Sequence, residues 1–102
     1  MITVTNEESF RNLPDNYIFY FYATWMPKSV GSHMFRMLNK ESEINLLAVD
    51  VDSFKTYVKV HEVQVVPTLV FFKNREPVKR IEGYMLSATF RATVRNIYEE
   101  KV

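Results

Sequence analysis

Residues 17–23 read Tyr17, Ile18, Phe19, Tyr20, Phe21, Tyr22 and Ala23 without a charge, and Trp25 and Pro27 follow at once. A short continuous run of aromatic and β-branched residues reads as a strand covered on both faces, hence a central one. Pro27 suits the first turn of a helix, where its missing N–H costs nothing. After it, Val30, Met34, Met37, Leu38 and Glu41 fall at i, i+4, i+7, i+8 and i+11, an apolar stripe that turns polar at the helix end. A second buried strand, Ile44 to Val51, has Leu46, Leu47, Ala48 and Val49 as its apolar core. Two covered strands joined by one helix demand a parallel pair with a right-handed crossover. The chain therefore has to build a sheet with helices on both faces.

The remaining segments add to that unit. Ile2 to Thr5 is a short strand candidate, and Thr5 with Glu8 has the spacing of a capping box, which predicts a helix over Asn6 to Leu13. Pro14, Asp15 and Asn16 make a turn. Ser53 can cap a short helix that runs to about His61. Thr68 to Lys73 is a strand, Lys73 to Glu76 a tight turn and Pro77 to Glu82 a return strand, so these form a hairpin. From Ser87, Phe90, Val94, Ile97 and Tyr98 repeat at helical spacing and predict a closing helix to about Glu100. The order βαβαβαββα predicts an α/β fold with one mixed five-stranded sheet. A chain of 102 residues, 47% hydrophobic, holds one such domain over residues 1–102 and is too short for two.

Composition removes several classes of function. Thirteen basic residues against twelve acidic ones leave a net charge of +1, which gives no global field for nucleic acid or an anionic membrane. There is no cysteine, so a thiol nucleophile, a disulfide scaffold and a thiolate metal site are all absent from this sequence. His33 and His61 are its two histidines and make no metal site; no cofactor is expected. No apolar run reaches the length of a membrane span and the N-terminus lacks a signal-peptide core, so the expectation is a soluble protein with the cytoplasm as default location.

Three segments together resemble the thioredoxin family over essentially the whole chain. Phe21, Tyr22, Ala23, Thr24 and Trp25 look like the family's strand leading into Trp-Cys-x-x-Cys. The segment Val63 to Asn74 looks like the stretch that carries the family's cis-proline, here Pro67, and the strand after it. Gly83 stands where the family has a glycine before its last helix. The resemblance implies the thioredoxin fold. It also exposes what is missing: Met26 and Ser29 occupy the two cysteine positions. Neither residue can form the thiolate or the mixed disulfide that the family's exchange chemistry needs. Tyr20 stands where the family keeps a buried acid, and Ala48 aligns with the lysine that often accompanies it. A laboratory cysteine-to-serine trap would have left the acid in place.

The leading expectation is a redox-inactive module that binds another protein or an extended peptide through Trp25, Met26, Pro27, Lys28 and Ser29 with the Val66–Pro67 edge. Trp25 and Met26 would supply apolar contact. A cis Val66–Pro67 bond, which the resemblance implies, would set the backbone of Val66 beside Trp25 for pairing with a peptide strand. A second reading is enzymatic: Ser29, with His33 at i+4, contacts a small thiol such as glutathione, though no acid orients the imidazole. A third is a structural subunit that docks through the basic hairpin (Lys73, Arg75, Lys79, Arg80) or the last helix (Arg91, Arg95). His61 and Glu62 read as a solvated pair.

Overall fold

The structure, a computed structural model, describes residues 2–41 and 45–99, the side chains of Ile2, Ser29 and Glu41 excepted. Its strands are β1 (Ile2–Thr3), β2 (Tyr17–Tyr22), β3 (Asn45–Asp50), β4 (Thr68–Lys73) and β5 (Glu76–Glu82). The helices are α1 (Lys28–Glu41), α2 (Lys55–Val60) and α3 (Ser87–Tyr98), and one 3-10 turn spans Glu7–Phe10. The sheet order is β1-β3-β2-β4-β5. Four full strands carry it, and β1 adds only the pairs Ile2 to Leu47 and Thr3 to Ala48 at one edge. β2 runs parallel to β3 and antiparallel to β4, so the aromatic run is central.

Because successive side chains alternate between the faces of a strand, β2 feeds two cores at once. Ile18 and Tyr20 join Met34, Leu38, Phe71 and Phe90 beneath α1 and α3. Tyr17, Phe19 and Phe21 join Leu47, Val49 and Phe72 on the other face, where Phe10, Phe54, Tyr57 and Val58 from the 3-10 turn and α2 cover them. Phe19, Tyr20, Phe21, Phe71 and Phe72 are core, as expected of so continuous an aromatic run.

Several local expectations are corrected. The helix predicted over Asn6 to Leu13 is the single 3-10 turn Glu7–Phe10, and its cap position is Asn6, without a side-chain hydrogen bond, rather than Thr5. Packing explains this: one turn is enough to lay Phe10 flat on Tyr57, ring centroids 3.7 Å apart. Ser53 does not cap α2; Phe54 holds that position, and its carbonyl accepts from the N–H groups of Tyr57 and Val58. Ile44 and Glu100, predicted at the ends of β3 and α3, lie outside the described residues. The hairpin turn consists of Asn74 and Arg75, with φ of 52° and 68°. Two consecutive left-handed residues are what a two-residue turn needs to match strand twist.

Candidate site at the Trp25 groove

The strands β2 and β3 run in parallel, so Tyr22 and Asp50 are cross-strand partners and both strands end at the same edge. Two loops meet there. After β2, Met26 N–H donates to Ala23 O at 3.2 Å, and the carbonyl of Pro27 accepts from Val30 and Gly31 N–H at 3.0 Å each, which opens α1. After β3, Asp50 shapes a tight turn: its carboxylate accepts from Asp52 N–H at 2.9 Å and its carbonyl from Phe54 N–H at 3.0 Å. That turn aims Asp52 at the indole, and Trp25 Nε1–H donates to Asp52 Oδ2 at 3.1 Å. The ring is tethered by its one donor while 67% of the residue's surface stays exposed.

The facing wall comes from the segment between α2 and β4. Glu62 takes a left-handed φ of 52°, and Val63 N–H turns back to Val58 O at 2.9 Å. The Val66–Pro67 peptide is cis. Thr68 Oγ1 donates to Val65 O at 2.6 Å, and Gly83 N–H donates to Pro67 O at 2.7 Å, which ties the wall to the end of β5. Gly83 does this with φ of 90°, a conformation side chains resist. Between indole and wall lies a groove of about 490 Å³, lined by Trp25, Asp52, Val58, Val63, Gln64 and Val66 among others. Its lining is mainly apolar with one carboxylate at the rim.

The sequence-predicted site divides. Trp25 and Val66 meet in the groove, and Pro67 is buried behind it. Met26 does not line it. Half-buried, it packs on the cluster beneath α1 and α3, its methyl beside Gly31. Pro27 and Lys28 are exposed at the start of α1 and also do not line the groove. The side chain of Ser29 lies outside the described residues. Sequence reasoning missed Asp52, Val58, Val63 and Gln64. Asp52 had a usable signal, since a carboxylate just beyond a parallel strand sits at the edge where ligand sites gather.

Beneath the site, Tyr20 and Ala48 are cross-strand partners. Where the resemblance leads one to look for an acid and a lysine, the two strands place a phenol and a methyl against each other. Tyr20 is 1% exposed and stacks on Tyr22 at 5.6 Å. Burial, with the Tyr22 phenol adding, pushes its pKa up to about 12, so it holds its proton throughout the physiological range. Among the described residues no buried side-chain nitrogen or oxygen lacks a hydrogen bond, and no group of three or more His, Cys, Asp or Glu side chains forms a metal site. None of the described helices is long and apolar enough to cross a membrane.

The other polar candidates have structural partners. His33 stacks on Tyr84 at 4.6 Å, and its Nε2–H donates to Met85 O at 2.9 Å, so it docks the β5–α3 loop onto α1. His61 is not part of a solvated pair. Its half-buried ring lies 5.6, 5.9 and 5.4 Å from the rings of Phe19, Phe21 and Phe72. Burial, and then the Arg80 charge, lower its pKa from the ordinary histidine value. The Arg80 guanidinium donates to the carbonyls of His61 and Glu62, placing a cation at the C-terminal end of α2. Arg75 pairs with Asp15 at 3.1 Å and donates to Leu13 O at 3.3 Å, so it holds the hairpin turn to the loop before β2.

Comparison with known proteins agrees with the fold. The thioredoxin sequence family matches residues 1–96. A thioredoxin-like protein of Synechocystis is 32% identical over 77 residues, 67% of this chain and 68% of that one. The mitochondrial thioredoxin-3 of Saccharomyces cerevisiae is 31% identical over 85 residues, 78% of this chain and 67% of its own. Among solved structures, a variant thioredoxin from Halobacterium salinarum superimposes with a TM-score of 0.81 at 22% identity, covering 99% of this chain and 92% of that one. The oxidised yeast mitochondrial thioredoxin 3 superimposes with a TM-score of 0.74 at 24% identity, covering 95% of each chain. The match over residues 1–96 includes both the segment of Trp25 and that of Val66 and Pro67. The chain belongs to the thioredoxin family, with no cysteine in its sequence.

Proposed function

We propose that this protein is a redox-inactive thioredoxin-fold module that binds an extended segment of another protein in the groove between Trp25 and Val66. The observation that carries the reading is the tethered, exposed indole over an apolar groove. Tryptophan is enriched at binding hot spots because a large rigid surface is offered at small entropic cost. The hydrogen bond to Asp52 fixes the ring before a partner arrives, which lowers the ordering cost of binding. A peptide strand laid along Val65 and Val66 would pair with their backbone and set an apolar side chain against Trp25 and Val63. With no thiol at either cysteine position, the groove holds its partner without a covalent step.

The test is selection of peptides from a random library on the whole chain, followed by mapping of amide shifts with the best one. The reading expects shifts at Trp25, Asp52, Val58 and residues 63–66. Shifts confined to the hairpin, residues 73–80, would move the docking site there. No selectable peptide would leave the module without its proposed ligand class and refute the reading.

A further inference from the structure

His61 sits where α2 ends and the groove wall begins. Its ring occupies a cage of Phe19, Phe21 and Phe72, while its carbonyl and that of Glu62 are clasped by Arg80. Glu62, the next residue, turns the chain through its left-handed φ of 52°, and residues 63–66 follow as the wall facing Trp25. Beside the ring opens a second cleft of about 380 Å³, lined by Val60, Val70 and Arg80 with His61 itself. The ring thus lies between the cage and an open cleft that it helps to line. An aromatic hydrocarbon would fill such a cage more simply; an imidazole brings a proton site.

We propose that His61 is a proton-operated latch on the groove: neutral, it stays caged and holds the Glu62–Val66 wall against Trp25; protonated, it leaves the cage and the wall loosens. The inference names the regulation of the binding groove and rests on that reading of the groove. The charged groups around the ring favour this direction. From β5 it is Arg80 that acts on the ring, with Glu82 two residues on lining a neighbouring cleft beside Arg80, and Glu62 is the one acid in the cleft beside the ring. The neighbouring β2, β4 and α2 carry aromatic rings, the phenols of Tyr17 and Tyr57 and the lysines Lys55, Lys59 and Lys73, and no carboxylate to receive an imidazolium. A cation in that position meets the Arg80 guanidinium and gives up its hydration to three phenylalanines.

The sign follows from burial and Arg80, which lower the folded pKa of His61. The stabilisation by the caged neutral ring is therefore fully present above the unfolded value, about 6.5. It is lost as pH falls from there toward the folded value, where unfolded or uncaged forms take up the proton first.

The experiment is an NMR titration of the whole chain from pH 8 to pH 5, following both imidazoles, the Trp25 indole N–H and the amides of residues 62–66. The latch predicts that His61 titrates below about 6.5 and that the wall amides and the indole shift with the same midpoint. In His61→Phe, which refills the cage without a proton site, those shifts should vanish, while His33→Asn should leave them in place. A His61 that titrates at or above the ordinary value, or a wall whose shifts do not follow it, overturns the latch. Should His61→Phe fail to fold, the coincidence of midpoints in the native chain still decides. Peptide affinity is a separate arm: with the latch, the Kd of a groove peptide rises at least threefold between pH 7.5 and pH 5.5. A groove that binds no peptide refutes the function but not the titration; one that binds equally at both pH values refutes the latch alone.

Discussion

The Trp25 groove and the basic hairpin both looked like binding surfaces in the sequence, and they differ in what their side chains do within the fold. At the groove, the hydrogen bond of the indole is made by its edge, to Asp52, and leaves most of its surface outward. At the hairpin, Arg75 is used by Asp15 and Leu13, and Arg80 by the last carbonyls around α2. These cations hold the molecule together before they can greet a partner. The open edge of β5 is guarded as well: Pro77 removes a donor, and a register irregularity falls opposite Phe71 and Phe72. Prolines and bulges on an edge strand discourage pairing with another chain. An exposed group is evidence for binding only after its internal duties have been counted.

The comparison can be broken most severely from below the groove. If the floor has become ordinary core, Tyr20→Asp should destabilise the protein by about 4 kcal/mol, since a buried ring is lost and a carboxyl is set in its place. Urea denaturation measures it. A cost under about 1 kcal/mol would mean that the corner still accommodates the family's acid. At the hairpin, Arg80→Ala and Arg75→Ala should each cost roughly 1 kcal/mol in the same assay, because each removes charge-assisted donors from exposed carbonyl or carboxylate partners. If neither changes stability, those arginines are free for partners and the contrast with the groove collapses.

The last stability effect tests how α3 is held to β2 and β4. The Tyr98 hydroxyl donates to Phe72 O at 2.8 Å, and burial pushes its pKa up to about 12, as it does for Tyr20. A raised phenol pKa gives stability that is whole below about pH 10 and is lost as pH rises through 10 toward 12. Thermal melts between pH 8 and pH 12 should fall across that window, and Tyr98→Phe should flatten the fall while costing about 1 kcal/mol at neutral pH.

Much of this was legible in the residues. The continuous run at 17–23 and the stripe of Met34, Met37 and Leu38 fixed the layers, because burial on two faces and on one helix face leave different periods. Trp25 and Val66 were legible through the resemblance. The placement of Met26 was not: adjacent positions in a loop can point to opposite faces, and the turn into α1 just after Pro27 sets Met26 inward beside Gly31. The first helix failed because a capping-box spacing carries no information about tertiary packing, and one stacked pair, Phe10 on Tyr57, settled that segment as a single turn. His61 was misread because its cage is assembled from Phe19 and Phe21 of β2 and Phe72 of β4, none of which is near it in the sequence.

The most direct test of the central claim is calorimetric titration of a selected peptide into three forms: the native chain, Trp25→Ala and Lys79→Glu. With the groove as the binding site, Trp25→Ala weakens binding by about 2 kcal/mol or more, roughly thirtyfold, and leaves the melting temperature nearly unchanged. Lys79→Glu then leaves the affinity as it was. Binding that survives Trp25→Ala and is lost in Lys79→Glu would contradict the account and place the function on the hairpin.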